Sequence, residues 1–144
     1  MRIAMASDHG GFELKEQLKE YLKGKGHEIV DLGTDGEASV DYPAYGKRCA
    51  EYVVGGGADK GIVVCGTGIG ISIAANKVRG ARCAVCASET MARLAANHND
   101  ANLLALGGRT TSFEEAAKYT EVWLSTPFDC GERHTRRVRA ITEM

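Results

Sequence analysis

A cysteine followed by a glycine-rich turn is the segment of this sequence best suited to chemistry. Cys65 ends an apolar run, and Gly66-Thr67-Gly68-Ile69-Gly70 leads from it into a helical pattern. The backbone amides of such a turn and the positive end of the helix dipole favour a bound anion, and the same field favours the thiolate of Cys65. We therefore interpret Cys65 as a base beside an anion site, although a small buried cysteine that only ends a strand is the simpler alternative.

The glycines of this turn do not match the common nucleotide-binding motifs. The dinucleotide fingerprint G-x-G-x-x-G would need glycine at position 71, where the chain has Ile71, and no Gly-Lys-Ser/Thr triplet is present. A nucleotide site is therefore the weaker hypothesis, and a small anionic ligand is the stronger one.

Two further segments carry histidines that could transfer protons near neutral pH. Asp8 and His9 come directly after the first apolar run, in Ser7-Asp8-His9-Gly10-Gly11, and His98 begins a polar run before the last predicted strand. The simpler alternatives are an aspartate that caps a helix and a solvated loop histidine. Neither segment alone decides between these interpretations.

Three arginines are candidates for binding a phosphate. Arg109 follows Gly107-Gly108, and Arg133 and Arg137 are four residues apart, which places them on one face of a helix. The planar guanidinium matches phosphate oxygens, whereas a solvated basic face is the commoner fate of an arginine-rich helix.

The remaining cysteines predict neither a metal site nor disulfides. Cys83 and Cys86 lie three apart on a predicted strand and so point to opposite faces, and no second Cys or His pair completes a tetrahedral zinc site. The five cysteines are odd in number and irregularly spaced, and no apolar leader precedes them. We expect a cytoplasmic protein in a reducing environment.

Length and composition indicate a single globular domain over residues 1–144. The chain is 44% hydrophobic and 26% charged, with a formal net charge of -1. A near-neutral chain is a poor candidate for binding nucleic acid, and no apolar run approaches the roughly 20 residues needed to cross a membrane.

Apolar runs and helical patterns alternate along the chain, which predicts a parallel sheet covered by helices on both faces. Ligands of such sheets bind beyond the carboxyl ends of the strands. The predicted strands are 3–6, 28–31, 61–65, 83–87 and 103–106, and the predicted helices are 12–22, 45–54, 70–78, 89–96, 112–124 and 133–141.

Several of these segments together resemble the family of ribose-5-phosphate isomerase B and the galactose-6-phosphate isomerase subunits. The resemblance spans nearly the whole chain in the family's order. It implies a Rossmann-like three-layer α/β/α sandwich with a five-stranded parallel sheet, a homodimer or dimer of dimers, no metal or organic cofactor, and a place in the pentose phosphate pathway. The segments are Ser7-Asp8-His9-Gly10-Gly11, Asp41-Tyr42-Pro43, Cys65 to Lys77, His98-Asn99-Asp100-Ala101-Asn102 and Arg133-His134-x-x-Arg137-Val138.

The resemblance also implies a role for each matched residue in interconverting ribose 5-phosphate and ribulose 5-phosphate. Cys65 is the proton-transfer base, and Thr67 and His98 open the furanose ring. The amides from Gly66 to Gly70, including Gly68 and Ile69, receive the enediolate oxygen. The sugar hydroxyls are held by Asp8, Tyr42 and Asn99, and the phosphate by His9 and Arg109 with Arg133 and Arg137 of the neighbouring subunit.

One assignment to a branch of the family, one departure from its pattern and three alternatives accompany this hypothesis. Part of the family replaces the cysteine with a glutamate a few residues later, but Cys65 is present and position 71 is Ile71, so the cysteine branch is indicated. Glu132 stands where glycine is common. The alternatives are an isomerase of a six-carbon sugar phosphate such as allose or galactose 6-phosphate, a non-catalytic sugar-phosphate sensor, and a thiol oxidoreductase, for which Cys65 has no resolving partner nearby.

Overall fold

Strands and helices alternate along the chain, as the sequence predicts. The computed structural model describes all 144 residues. None of its helices is long and apolar enough to cross a bilayer. The elements are β1 (Arg2–Ser7), α1 (Phe12–Gly24), β2 (Glu28–Asp31), α2 (Tyr42–Val54), β3 (Lys60–Cys65), α3 (Ile69–Ala75), β4 (Cys83–Val85), α4 (Glu89–Asn97), β5 (Leu103–Gly107), α5 (Phe113–Ser125) and α6 (Glu132–Thr142).

The five strands form one parallel sheet in the order β2-β1-β3-β5-β4, which confirms the predicted sheet. The chain leaves β1 towards one side of the sheet and leaves β3 towards the other. The crevice between the carboxyl ends of β1 and β3 is therefore the topological switch point, where open α/β sheets bind their ligands.

Helices cover both faces of this sheet and give the three-layer sandwich that was predicted. One buried cluster joins Leu14, Leu18 and Leu22 of α1 to residues of α4 and α5, and includes the fully buried Trp123. The other cluster lies beneath α2 and α3. Strands β1, β3 and β5 are buried from both sides because they have apolar residues pointing to both faces, whereas the edge strand β2 is only partly buried.

Three predicted element ends were wrong by a few residues, each for a local reason. Helix α2 begins three residues earlier, with Pro43 in its first turn, a position that proline favours. Helix α3 ends at Ala75 because the next side chain, Asn76, bonds to both the N–H and the C=O of Cys83 and directs the chain into β4. Strand β4 is shorter than predicted and ends at Val85.

The ends of the strands form two rims of the sheet, which we call the carboxyl edge and the amino edge. These two rims carry different groups of predicted site residues. Cys65 pairs with Gly107 at the carboxyl edge, whereas Leu103 pairs with Gly61 and Cys83 at the amino edge. The four residue steps from Leu103 to Gly107 separate these edges by about 13 Å. Helices α4 and α5 start at the carboxyl edge and run back, so the segments that follow them lie at the amino edge.

Candidate active site

The turn after β1 fixes Asp8 at the carboxyl edge. Its carboxylate Oδ1 accepts a hydrogen bond from Gly11 N at 3.0 Å, and its own N–H donates to the Val64 carbonyl at 3.2 Å. Asp8 is therefore held by the turn but is not the N-cap of α1, which is Gly11. Oδ2 accepts no hydrogen bond from the chain, which leaves it free for a ligand hydroxyl.

His9 is oriented by a loop from the other side of the crevice. The Val40 amide donates to His9 Nδ1 at 3.1 Å. A neutral imidazole that accepts at Nδ1 carries its proton on Nε2, so Nε2 is the atom that can donate to a ligand. The partly buried ring thus presents one donor at this edge of the sheet.

Cys65 lies at the end of β3, beneath the glycine-rich turn. Its side chain is buried, and its sulfur accepts a hydrogen bond from Gly68 N at 3.2 Å. This hydrogen bond holds the sulfur directly beneath the turn. The backbone amides of Gly66, Thr67 and Gly70 donate to no other group of the chain and remain free to bind an oxyanion.

Two close contacts require glycine in this turn. Gly68 has φ +79°, and a Cβ built on it would lie 2.8 Å from the Leu106 carbonyl carbon. At Gly70 a Cβ would lie 2.6 Å from Tyr42 Cε1, so the ring of Tyr42 rests directly on the turn. Tyr42 is 39% exposed, which places a phenol at the rim of the crevice.

The Arg109 side chain completes this edge. A Cβ built on Gly66 would lie 3.3 Å from Arg109 Nη1, and one built on Gly10 would lie 3.4 Å from Arg109 Cζ. The backbone places it there, since Arg109 N donates to the Gly66 carbonyl at 2.9 Å. No acidic side chain pairs with this guanidinium. A free cation beside free amides favours an anion.

The remaining buried cysteines are poor candidates for a base. Burial raises the pKa of Cys49 to about 12 and that of Cys86 to about 11, and it also raises the pKa of Cys83. Cys83 and Cys86 point into different core clusters, as their spacing predicts. No group of three or more His, Cys, Asp or Glu side chains is arranged to hold a metal ion.

The second group of predicted residues meets at the amino edge. His98 ends α4, and its ring stacks on His134 of α6 with centroids 4.4 Å apart and an interplanar angle of 15°. His134 is buried, and its Nε2 lies 3.7 Å from Asp129 Oδ2. The motif Arg133-His134-x-x-Arg137 assigns His134 no role, because the position of His134 between two arginines does not reveal what its ring contacts.

Arg133 and Arg137 project from the same region. Both are exposed near the start of α6 and neither pairs with an acidic side chain. Glu132, the first residue of the helix, is also exposed, so the charge that stands in place of a common glycine faces away from the core. Asn99 is exposed beside His98.

The structure corrects one expectation about how the site is assembled. His98 and Asn99 were expected beside Cys65, with only the two arginines coming from a neighbour. They instead precede β5 at the amino edge, about a strand length from Cys65. The chain therefore carries two groups of candidate site residues, which we call half-sites, and they do not meet within one molecule. A cavity of about 530 Å³ at the amino edge is lined by Asn99 and Arg82 but not by Cys65.

Comparison with known proteins identifies the family. A model described as ribose/galactose isomerase matches residues 3–141. The chain belongs to the ribose/galactose isomerase family. Ribose-5-phosphate isomerase B of Escherichia coli is 45% identical over 141 residues, covering 98% of this chain and 94% of that protein.

Solved members of the ribose/galactose isomerase family share the whole fold. Ribose-5-phosphate isomerase B of Clostridium thermocellum is 51% identical with a TM-score of 0.97, covering 99% of this chain and 96% of that one. The Mycoplasma genitalium enzyme, solved with bound ribulose 5-phosphate, is 40% identical with a TM-score of 0.92, covering 98% and 93%. The predicted family and its Rossmann-like fold are confirmed.

Proposed function

We propose that the protein interconverts ribose 5-phosphate and ribulose 5-phosphate through ring opening and a cis-enediolate, with Cys65 as the base. The observation that carries this proposal is the set of free amides and the unpaired Arg109 that surround Cys65 at the switch point. Membership of the family and the relative with bound ribulose 5-phosphate support the choice of substrate. Five free cysteines are consistent with a cytoplasmic protein.

The proton-transfer step uses the carboxyl edge. The Cys65 thiolate removes the proton from C2 of the open-chain aldose, and the resulting thiol returns it to C1 to give the ketose. The negative charge that develops on the substrate oxygen is bound by the free amides of Gly66, Thr67 and Gly70. One such donor contributes about 3 kcal/mol to the stability of the transition state.

The substrate is held at the same edge by groups outside the chemistry. Asp8 Oδ2 accepts a hydrogen bond from one sugar hydroxyl, and the Tyr42 hydroxyl donates to or accepts from another. His9 Nε2 and Arg109 bind the phosphate. Because the phosphate is held, C1 and C2 at the other end of the substrate are oriented above the sulfur.

Ring opening requires the amino edge of a second chain. Thr67 is exposed beside Cys65, and a partner's His98 supplies the proton transfer to and from the ring oxygen. In this arrangement Asn99, Arg133 and Arg137 also come from the partner. A two-fold axis satisfies both half-sites of each chain at once, so the functional unit is a homodimer, alone or within a dimer of dimers.

The surface beside the edge strand β4, which lies between the two half-sites, is suited to contact between two chains. Helices α3 and α4 lie on opposite faces beside the edge strand β4 and expose apolar side chains there. Ile69 and Ile73 of α3 are 56% and 58% exposed, and Met91 and Leu94 of α4 are 45% and 39% exposed. Burying such a patch would stabilise an antiparallel pair of chains.

Turnover of five-carbon and six-carbon substrates tests the proposal. We expect kcat/KM for ribose 5-phosphate to exceed that for allose or galactose 6-phosphate, and deuterium from D₂O to enter C1 of ribulose 5-phosphate. A higher kcat/KM for a six-carbon substrate would favour the alternative isomerase. Binding without turnover or deuterium exchange would favour a sensor.

A further inference from the structure

Arg82 is the most extensively bonded side chain of the amino edge, and nothing in the reaction as proposed uses it. Its Nε donates to the Asp100 carbonyl at 3.1 Å and to the Asn99 carbonyl at 3.3 Å, and its Nη2 donates to the Asp100 carbonyl at 2.9 Å. The guanidinium also lies 3.5 Å from Asp100 Oδ2. One side chain therefore holds both carbonyls that follow His98.

The segment that Arg82 holds has an unusual backbone. Asp100 has φ +46°, in the left-handed region that only glycine and a few other residues adopt readily. The Arg82 amide also donates to Asn102 Oδ1 at 2.8 Å, on the other side of this residue. The conformation between His98 and β5 thus depends on bonds from outside the segment.

Arg82 also reaches the helix that carries the two exposed arginines. Its Nη1 donates to Thr142 Oγ1 at 2.8 Å, and that hydroxyl donates to the Val138 carbonyl at 2.9 Å. Helix α6 bears His134, whose ring stacks on His98. Arg82 is therefore bonded to the segment behind His98 and to the helix that supports the stacked ring.

We infer that Arg82 is a positioning residue, which aligns His98 and Asn99 with Arg133 and Arg137 in the half-site given to a partner chain. Its guanidinium is mostly buried, and each of its nitrogens already donates within the chain, so it acts through these residues and not by contact with substrate. This inference rests on the proposed function, because it assigns Arg82 to the ring-opening half of the same reaction.

The first test compares Arg82→Met with Arg79→Met. Arg79 is an exposed neighbour that donates only to the Glu143 carbonyl, so its variant removes the same charge from the same region. We expect Arg82→Met to lower kcat/KM for ribose 5-phosphate by about thirtyfold, as misplaced supporting groups commonly do. Arg79→Met should remain within twofold of the wild type.

A second readout separates positioning of His98 from a general loss of structure. Exchange of the C1 proton of ribulose 5-phosphate with D₂O needs Cys65 but no ring opening. At saturating ribulose 5-phosphate, exchange by Arg82→Met should fall no more than about threefold. Equal losses of exchange and isomerisation would overturn the inference, as would unchanged isomerisation.

Mixing Arg82→Met chains with Cys65→Ala chains then shows which half-site Arg82→Met damages. A mixed dimer has one site in which the Arg82→Met chain supplies Cys65 and the Cys65→Ala chain supplies an intact amino edge. Adding the inactive chain should therefore raise activity to about a quarter of the wild-type value. A fall in activity on mixing would show that Arg82→Met damages its own Cys65 half-site, which contradicts the inference.

Arg82→Lys is a second variant for the case in which Arg82→Met does not fold. If Arg82→Met does not form folded dimers, the lysine variant, which keeps the charge but not the fork of donors, should show the same pattern with a smaller loss. Failure of both variants to fold would show a structural residue only and overturn the inference. Absence of isomerisation and exchange in the wild-type protein would instead refute the proposed function.

Discussion

The carboxyl and amino edges of the sheet build their half-sites by different means. At the carboxyl edge, the turns after β1, β3 and β5 are joined to one another by backbone bonds, such as Gly108 N to the Cys65 carbonyl at 2.8 Å. At the amino edge, His98 and the arginines belong to the end of one helix and the start of another, and side chains hold them together. Cys65 is thus held by backbone hydrogen bonds, whereas His98 is held through side chains.

The proposed base is the group that needs the more exact placement. A base must be placed within a fraction of an ångström of its proton, and strand ends in a buried sheet provide that precision.

Removing the base should have the largest effect of any single change. We expect Cys65→Ala to lower kcat for ribose 5-phosphate at least about a thousandfold, because a positioned base contributes two to four powers of ten. Deuterium exchange at C1 of ribulose 5-phosphate should be lost with it. Cys130→Ala, which removes an exposed cysteine, is the control and should behave as the wild type. Turnover by Cys65→Ala within tenfold of the wild type would exclude Cys65 as the base.

A substitution of His98 at the amino edge should impair ring opening and leave proton transfer by Cys65 largely intact. We expect His98→Asn to lower kcat/KM for ribose 5-phosphate about a hundredfold, since it removes the proton shuttle for ring opening. The C1 exchange, which starts from an open-chain ketose, should remain within about threefold. Comparable losses in both measurements would remove the ring-opening role from His98.

The supporting ion pairs beneath the carboxyl edge should affect stability more than activity. Lys15 is fully buried and its Nζ lies 2.7 Å from Asp31 Oδ1, which also accepts from Gly33 N at 3.0 Å. We expect Asp31→Asn to lower the free energy of unfolding by about 3 kcal/mol at pH 7, because it leaves a buried lysine poorly paired. Activity of the folded variant should stay within threefold.

The difference in unfolding free energy between the wild type and Asp31→Asn should become smaller as the pH falls. Burial alone would raise the pKa of Asp31, but hydrogen bonds from Lys15 and Lys19 outweigh it and lower the pKa. A carboxylate with a lowered pKa stabilises the fold above its unfolded value of about 4 and loses that contribution as the pH falls through the folded pKa. Urea unfolding of both proteins should show the gap narrowing below pH 4. Glu20→Gln, at an exposed pair, is the control. A gap that does not change with pH would contradict the role of this ion pair.

Much of the fold follows from local sequence patterns. Leu103–Gly107 is a short apolar run, which is typical of a strand buried on both faces. Ser112 with Glu115 forms the capping box at the start of α5. The start of α2 could have been placed from Pro43. The end of α3 could not, since it depends on a bond between Asn76 and a strand that follows it in the chain.

The carboxyl half-site was predictable because its residues directly follow strands. Asp8, Cys65 and Arg109 meet there because β1, β3 and β5 are parallel neighbours, so their carboxyl ends lie side by side. The position of His98 follows from the same rule, since it comes after a helix and before a strand, but that consequence was missed. Arg82 carries no sequence pattern at all, because its role depends on carbonyls that the fold brings to it.

Mixed dimers test most directly the claim that each active site combines the carboxyl edge of one chain with the amino edge of another. Equal amounts of Cys65→Ala and His98→Asn chains, unfolded and refolded together, should recover about a quarter of wild-type isomerisation, since half of the dimers carry one intact site. Capture of dimers that contain two differently tagged chains confirms that the subunits have mixed. Activity no higher than the mean of the two separate variants would show that His98 serves the Cys65 of its own chain, and would contradict the account.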